Sequence, residues 1–150
     1  MPAGIGPSDS FLGVWFAIEF QGQVTGAFRE CSGLGSENEV VEAKMSSMDG
    51  RPVVKKIPGN LKWGNITLKQ GITDDMDMWK WRKMVEDGKV AEARKNGSIV
   101  LLSHAGVEIA RWNFVNAWPS KINGPSVNAT SNEVAIEELE LAHEGYERVK

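Results

Sequence analysis

The fold class is decided by one stretch of sequence, Leu12-Gly13-Val14-Trp15-Phe16-Ala17-Ile18-Glu19-Phe20. Apolar side chains occupy every second position of it, beginning with Leu12 and ending with Phe20. Successive side chains of a strand point to opposite faces of a sheet, so this period predicts a strand with one packed face. Gly22 then offers a turn, and Val24 to Glu30 can return as the second strand. The sequence therefore predicts an antiparallel β-hairpin at this point.

The same pattern recurs further along the chain. A break at residues 32–35 precedes a β-prone run around Val40 and Val41. From Asn65 the alternation resumes, with Ile66 and Leu68 on one face. Ile99 to Leu102 can pair with residues 107–115 through a turn at residues 104–106. These runs predict a mainly β fold, and a length of 150 residues favours a single domain over residues 1–150.

Residues 43–52 interrupt this pattern. They are rich in Ser and Met and contain Asp49-Gly50, which predicts a flexible excursion rather than core. Val53 to Ile57 can form the strand that returns from it. Pro58-Gly59 is expected to end that strand, because proline cannot donate a hydrogen bond to a sheet ladder.

One helix is predicted from Asp74 to about Asp87. Thr73 or Asp74 can cap its N-terminus, and Gly88 can stop it. Four apolar residues are expected on its packed side: Met76, Trp81, Met84 and Val85.

The C-terminal segment 134–146 is ambiguous. Its Glu, Leu and Ala content favours a helix by propensity. As a strand it would place Leu139 and Leu141 on one face and Val134 and Ile136 on the other, which calls for a bulge or a change of face.

The charge distribution is uneven around a net charge of −3 and a pI near 5.5, values that argue against a dedicated nucleic-acid binder. The stretch from Lys44 to Lys62 contains five basic residues and one acidic residue, which gives a net charge of +4. The stretch from Glu133 to Lys150 contains six glutamates and two basic residues, which gives a net charge of −4. The two blocks are either solvated faces or complementary contact surfaces.

The sequence carries no pattern of catalytic, cofactor-binding or metal-binding residues. Cys31 is the only cysteine, and the two histidines, His104 and His143, stand apart from any ligand cluster. No glycine-rich phosphate loop is present. The N-terminal residues lack a secretory signal pattern, and no apolar run is long enough to predict a membrane span. We therefore expect neither an enzyme nor a cofactor, and no insertion into a membrane.

Several segments in order resemble the inner-tube proteins of contractile injection systems and contractile-tailed phages. The resemblance extends from about residue 11 to residue 146. The similar segments are Gly26 to Leu34, Ile57-Pro58-Gly59, Asn65 to Gly71, Arg111-Trp112, Ala117-Trp118-Pro119 and Ala129 to Gly145. Residues 43–52 depart from the family pattern, in which an acidic, glycine-containing tip is common.

The resemblance implies a fold of two antiparallel sheets that form a small barrel-like core with one flanking helix. It also implies that the closing segment is a strand rather than a helix, since sheet context can override propensity. Six copies would form a ring whose sheets join into a continuous inner barrel, and rings would stack into a tube. The implied partners are other copies, a contractile sheath, spike or baseplate and cap proteins, and an effector or genome in the lumen. Assembly in the bacterial cytoplasm and a final location in a phage tail or a released particle would follow.

The opposed charge blocks suggest where copies meet. We expect residues 43–57 to reach a neighbouring subunit and residues 1–10 to form a flexible arm. The candidate contact residues are Arg51, Lys55 and Lys56 on one side and Glu137, Glu138 and Glu140 on the other. The alternative is a monomeric β-barrel that binds nucleic acid or a ligand through Trp63 and the basic stretch. A small hydrolase is the least favoured reading, because no nucleophile and base are paired.

Overall fold

A computed structural model describes residues 14–71, 75–125 and 135–150. They form ten strands and two helices, and the predicted mainly β fold is confirmed. The elements are β1 Trp15–Phe20, β2 Gln23–Phe28, β3 Glu30–Ser32, β4 Ser36–Ser46, β5 Pro52–Trp63, β6 Ile66–Gly71, α1 Asp77–Glu86, α2 Val90–Ala93, β7 Lys95–Leu102, β8 Glu108–Asn123, β9 Ile136–Ala142 and β10 Tyr146–Arg148. Residues 1–10, predicted to form a flexible arm, lie outside the described residues.

The opening hairpin forms as predicted. β1 pairs with β2, and a two-residue turn at Gln21 and Gly22 joins them. Both turn residues have positive φ, 53° and 76°. Such a turn matches the right-handed twist of the flanking strands, and glycine adopts positive φ without steric cost. Leu12 lies outside the described residues, and β1 runs from Trp15 to Phe20.

Eight of the described strands form two antiparallel sheets that share the long strand β8. The first sheet has the order β2-β1-β7-β8, with β10 also on β8, and the second has the order β8-β9-β6-β3. β8 passes from one sheet to the other near Asn116, whose φ of 49° lies in the left-handed region that asparagine tolerates. The chain also passes from the first sheet to the second at Arg29, between β2 and β3. There the backbone N–H of Arg29 donates to the Lys69 carbonyl at 2.8 Å. The two sheets are therefore joined at both places, although the described strands do not close into a complete barrel.

The core lies between the two sheets and is closed on one side by α1. Phe114 of β8 meets Phe20 of β1 edge-on at 6.2 Å between ring centroids. Trp81 of α1 packs against Phe20 at 5.1 Å and donates its indole N–H to the Ala93 carbonyl at 2.6 Å. The fully buried aliphatic side chains around them are Ile18, Ile66, Leu68, Ile99 and Leu141.

The helix is shorter than predicted. α1 has Met76 as its N-cap without a side-chain hydrogen bond, and the predicted caps at residues 73 and 74 lie outside the described residues. The assignment of Met76 to the packed side is wrong, because it is 54% exposed; Met78 is buried instead, beside the correctly predicted Trp81. The predicted stop is confirmed, since Gly88 follows the helix with φ 83°.

The C-terminal segment is a strand, as the resemblance implied and as helix propensity did not. β9 pairs with β6 on one side and β8 on the other. Neither a bulge nor a change of face occurs within Ile136–Ala142, because Ile136 remains 45% exposed and Glu137 takes the core-facing position beside Leu139 and Leu141. Val134 lies outside the described residues. Two neighbouring strands supply more pairing and burial than a solitary helix could, so sheet context prevails.

Candidate functional site

The most unusual feature of the structure is a two-stranded arm formed by β4 and β5, residues 36–63. Among the described residues these strands pair only with each other and form a separate sheet. The predicted excursion at residues 43–52 does lie outside the core, but residues 43–46 and 52 belong to this regular ladder and residues 47–51 form its turn. The returning strand at Val53 is confirmed.

The prediction that Pro58-Gly59 ends this strand is wrong. β5 continues to Trp63, and Pro58 lies opposite Val40, beside an irregularity in the register between Asn38 and Val40. A proline is tolerated at a bulge or in a strand with an unpaired edge. Gly59 is required here, because a Cβ at this position would lie 2.8 Å from the Glu39 carbonyl oxygen.

The two faces of the arm differ in chemistry. Directly paired residues share a face, and the register pairs Val41 with Ile57, and Met45 with Val53. This apolar face consists of Val41, Ala43, Met45, Val53, Lys55 and Ile57. The opposite, polar face carries Glu42 paired with Lys56, Lys44 paired with Val54, and Val40 paired with Pro58.

The apolar face is open to solvent in the isolated chain. Its members Val41, Met45, Val53 and Ile57 are 48%, 49%, 39% and 46% exposed. A two-stranded hairpin alone in water is marginally stable at best, and a contiguous apolar patch marks an interaction surface. The apolar face of the arm is therefore a candidate interaction surface.

The tip of the arm is a turn of defined shape. The Ser47 N–H donates to the Arg51 carbonyl at 2.8 Å, and the Gly50 N–H donates to the Ser47 carbonyl at 2.9 Å. The Ser47 hydroxyl donates to Asp49, which also pairs with Arg51 at 3.5 Å. The hydroxyl hydrogen bond lowers the pKa of the Asp49 carboxyl, and the backbone of Arg51 adds to this. These bonds hold Met48 outward, fully exposed.

The base of the arm is anchored to the body by aromatic rings. Trp63, the last residue of β5, lies 4.8 Å from Tyr146 and 6.1 Å from His143 between ring centroids. His143 Nε2 lies 2.8 Å from the Gly64 carbonyl oxygen, and its Nδ1 accepts from the Gly145 N–H at 3.1 Å. Burial raises the pKa of the Tyr146 hydroxyl, and the nearby Cys31 contributes. Trp63 is thus held within the subunit, which weakens the alternative that it stacks on nucleic acid.

The predicted basic contact residues occupy three different places on the arm. Arg51 lies in the tip and is paired with Asp49. Lys55 lies on the apolar face as its only charged residue, and Lys56 lies on the polar face opposite Glu42. The basic block of the sequence is therefore not one surface, because consecutive residues of a strand point in opposite directions.

The predicted acidic contact residues also lie on different faces of their strand. Glu137 is 5% exposed and faces inward, where it accepts from the Trp79 indole N–H at 3.1 Å and the Gln70 amide at 3.3 Å. This burial argues against a contact with a neighbour. Glu138 and Glu140 lie on the outer face of β9 and remain available.

The outer face of β9 belongs to a ladder of mixed charges. Glu138 lies opposite Lys69 of β6, and Glu140 lies opposite Lys121 of β8. Asn65 donates its side-chain amide to Glu140 at 2.8 Å. Cross-strand partners of opposite sign stabilise a sheet modestly and leave this face polar.

Cys31, the one cysteine of the sequence, lacks the features of a nucleophile. Burial raises the pKa of the Cys31 thiol to about 12, so it stays protonated at neutral pH. Across residues 14–71, 75–125 and 135–150, no three His, Cys, Asp or Glu side chains are grouped so that they could hold a metal ion. Neither helix in the described part of the chain is long and apolar enough to cross a bilayer.

Comparison with known proteins identifies the family. The sequence model of the T4-like virus tail tube protein gp19 matches residues 13–147. The chain belongs to this tail tube family. No curated protein sequence matches the chain significantly.

Solved structures share the fold. A chain of the extracellular contractile injection system PVC sheath-tube complex in the extended state is 24% identical, with a TM-score of 0.70 over 92% of this chain and 88% of that one. A chain of the anti-feeding prophage tube terminating cap is 24% identical, with a TM-score of 0.66 over 99% and 92%. Hcp1 from Flavobacterium johnsoniae is 15% identical, with a TM-score of 0.52 over 90% and 94%. The expected mainly β fold with two antiparallel sheets is confirmed.

Proposed function

We propose that this chain is the subunit of the inner tube of a contractile injection particle or phage tail. Six copies form a ring, and rings stack into a tube through which an effector or a genome passes. A sheath surrounds the tube, and baseplate or spike and cap proteins close its ends. Assembly takes place in the bacterial cytoplasm. Membership of the tail tube family and the shared fold support this function.

The observation that carries the proposal is the uncovered apolar face of the arm. Fully burying a Val, Ile or Met side chain contributes about 1.5–3 kcal/mol, so covering the exposed half of one contributes about 1 kcal/mol. The four exposed residues of this face together contribute about 4 kcal/mol for each arm that is covered. Association has its own entropic cost, so one arm alone gives weak pairing. A closed ring repeats the contact around its circumference and thereby stabilises itself.

Charged residues set the register of this contact in the proposed tube. Lys55 interrupts the apolar face, and we assign its partner to Glu138 or Glu140 on the outer face of β9 of a neighbouring copy. Arg51 at the tip is a further candidate. Lys56 lies opposite Glu42 on the other face of the arm, so we assign it a smaller part in this contact.

Charge reversal tests whether Lys55, and not Lys56, contributes to the contact between copies. Lys55→Glu is expected to shorten tubes in electron micrographs, because it places a carboxylate against Glu138 or Glu140. Lys56→Glu, the matched control on the opposite face, is expected to leave tube length nearly unchanged. The part of this effect that comes from repulsion between partly exposed carboxylates is about 0–1 kcal/mol and should weaken at high salt. Equal tube lengths for both variants at low salt would remove Lys55 from the interface.

The proposed role is that of a passive conduit, with the work of penetration done by sheath contraction. Light scattering coupled to gel filtration, followed by negative-stain imaging, tests the function directly. We expect rings of about six times the 16.5 kDa chain mass, or tubes. A particle of 16.5 kDa that persists at high protein concentration and with preformed tube seeds would refute it.

A further inference from the structure

A groove lies where the arm leaves the body. It has a volume of about 630 Å³ and runs between the segment before β4 and the end of β5. Leu34 and Trp63 supply apolar surface, and Glu37 and Lys62, which are paired across the two strands, supply opposite charges. Three glycines, Gly33, Gly35 and Gly64, line the rest and leave room for an incoming chain. Trp63 and Gly64 also anchor the arm to its own body, but none of these residues belongs to the contacts between copies assigned above.

The length of the arm matches the size of the body. β4 has 11 residues, which at about 3.4 Å per residue span roughly 37 Å. The body without the arm contains about 120 residues, and a compact chain of that length has a diameter of roughly 35 Å. Equivalent points on two touching copies are separated by about one diameter. An arm of this length therefore reaches the equivalent of its own base on the next copy.

The tip has the shape and chemistry to fill such a groove. Met48 projects from a hydrogen-bonded turn, and its long, flexible thioether side chain adapts to irregular apolar surfaces. Asp49 and Arg51 flank it with opposite charges. The groove offers the complementary pair, Lys62 for Asp49 and Glu37 for Arg51. A single exposed methionine is ordinary, but this one ends an arm whose whole face lacks cover.

We propose that the arm tip of one copy docks in the groove at the base of the next copy's arm, with Met48 against Leu34 and Trp63. The contact is head-to-tail, so each copy gives one tip and receives another, as ring closure or stacking requires. Trp63 thereby links the incoming tip to the anchored base of the receiving arm. This docking rests on the proposed function and names the surfaces that meet.

Cysteine cross-linking tests the contact. Ser36→Cys places a thiol at the groove, and Met48→Cys places one at the tip. Within one chain the two positions are separated by nearly the length of β4, far beyond the Cα separation of about 4.4–6.8 Å that a disulfide allows. Any disulfide between them therefore joins two copies. The native Cys31 thiol, with its pKa raised to about 12, reacts slowly in comparison.

The two single variants are mixed in equal amounts as unfolded chains, refolded together, assembled and oxidised. In a random mixture, about half of the Met48→Cys tips face the groove of a Ser36→Cys chain, so about half of all chains can form a disulfide. We expect a covalent dimer approaching that fraction on a non-reducing gel. Each single variant alone, and Met48→Cys mixed with Val107→Cys in the exposed β7–β8 turn, should give less than a tenth of that yield.

The outcomes separate this docking from the function itself. Rings or tubes with the dimer support the contact. Rings or tubes without it, or with equal yield from the Val107→Cys pair, overturn the docking and leave the tube function standing. A wild-type chain that forms no rings or tubes overturns both.

Discussion

The two faces of the arm give the sharpest test of assembly, because two similar residues lie on opposite sides of one strand. Ile57 is on the apolar face and is 46% exposed, and Val54 is on the polar face and is 53% exposed. We consider the substitutions Ile57→Glu and Val54→Glu. Both place a carboxylate in the interior of β5 and carry a similar cost in strand propensity.

Ile57→Glu acts on the covered face. It removes about 1 kcal/mol of apolar burial per contact, and a charge enclosed there costs several kcal/mol more if it stays unpaired. Partial screening and the neighbouring Lys55 reduce that cost. A net loss of about 3 kcal/mol per contact corresponds to about a 100-fold rise in the protein concentration needed for assembly. Val54→Glu leaves the apolar face intact, so the required concentration should change by less than about threefold.

The assay measures the fraction of protein that sediments as tubes across a concentration series. Circular dichroism and thermal unfolding of the unassembled chain show whether each variant is folded. If both variants are folded and assemble at the same concentration as wild type, the apolar face is not covered in the tube. If Val54→Glu is as damaging as Ile57→Glu, the assignment of one interacting face is wrong.

Two further predictions concern the body. Gly33→Ala would place a Cβ 1.9 Å from the Asn65 carbonyl oxygen at a φ of 86°, so we expect it to lower the free energy of unfolding by more than about 2 kcal/mol. Gly35→Ala, with no atom within 4 Å of the new Cβ, should change it by less than about 0.5 kcal/mol in denaturant titrations, and similar values for both would contradict this geometry. Because burial raises the pKa of Cys31 from 9.0 to about 12, iodoacetamide should modify it slowly in the folded chain at pH 8.5 and rapidly in denaturant. The same shift means that stability is fully present below pH 9 and falls as the pH rises toward 12, because the unfolded chain ionises first; equal alkylation rates in both states would refute the shift.

Local pattern was a good guide where one face of a strand is buried and the other is not. The alternation around Phe16 and Ile18 and the pair Ile66 and Leu68 predicted strands correctly, because period two follows from backbone geometry alone. The turn at Gly22 and the helix stop at Gly88 were also predictable, since both need positive φ.

Local pattern failed where long-range pairing decides the outcome. Residues 136–142 favour a helix by composition, but β6 and β8 flank them with matching ladders. Glu137 looked like part of a solvated acidic run, yet the indole of Trp79 and the amide of Gln70 supply donors for it in a buried position. Neither donor is near Glu137 in sequence, so no local rule could find them.

The sequence by itself determined the fold class, the positions of most strands and membership of a tube-forming family, because these depend on backbone periodicity and on motifs read in order. Only the tertiary structure decided that the flexible-looking excursion is a paired arm, that Lys55 and Lys56 lie on opposite faces, and that a groove lies at the arm base, about the length of β4 from the tip. The physical reason is that a register between distant strands fixes which side chains share a face, and one residue of slip would exchange the two faces completely.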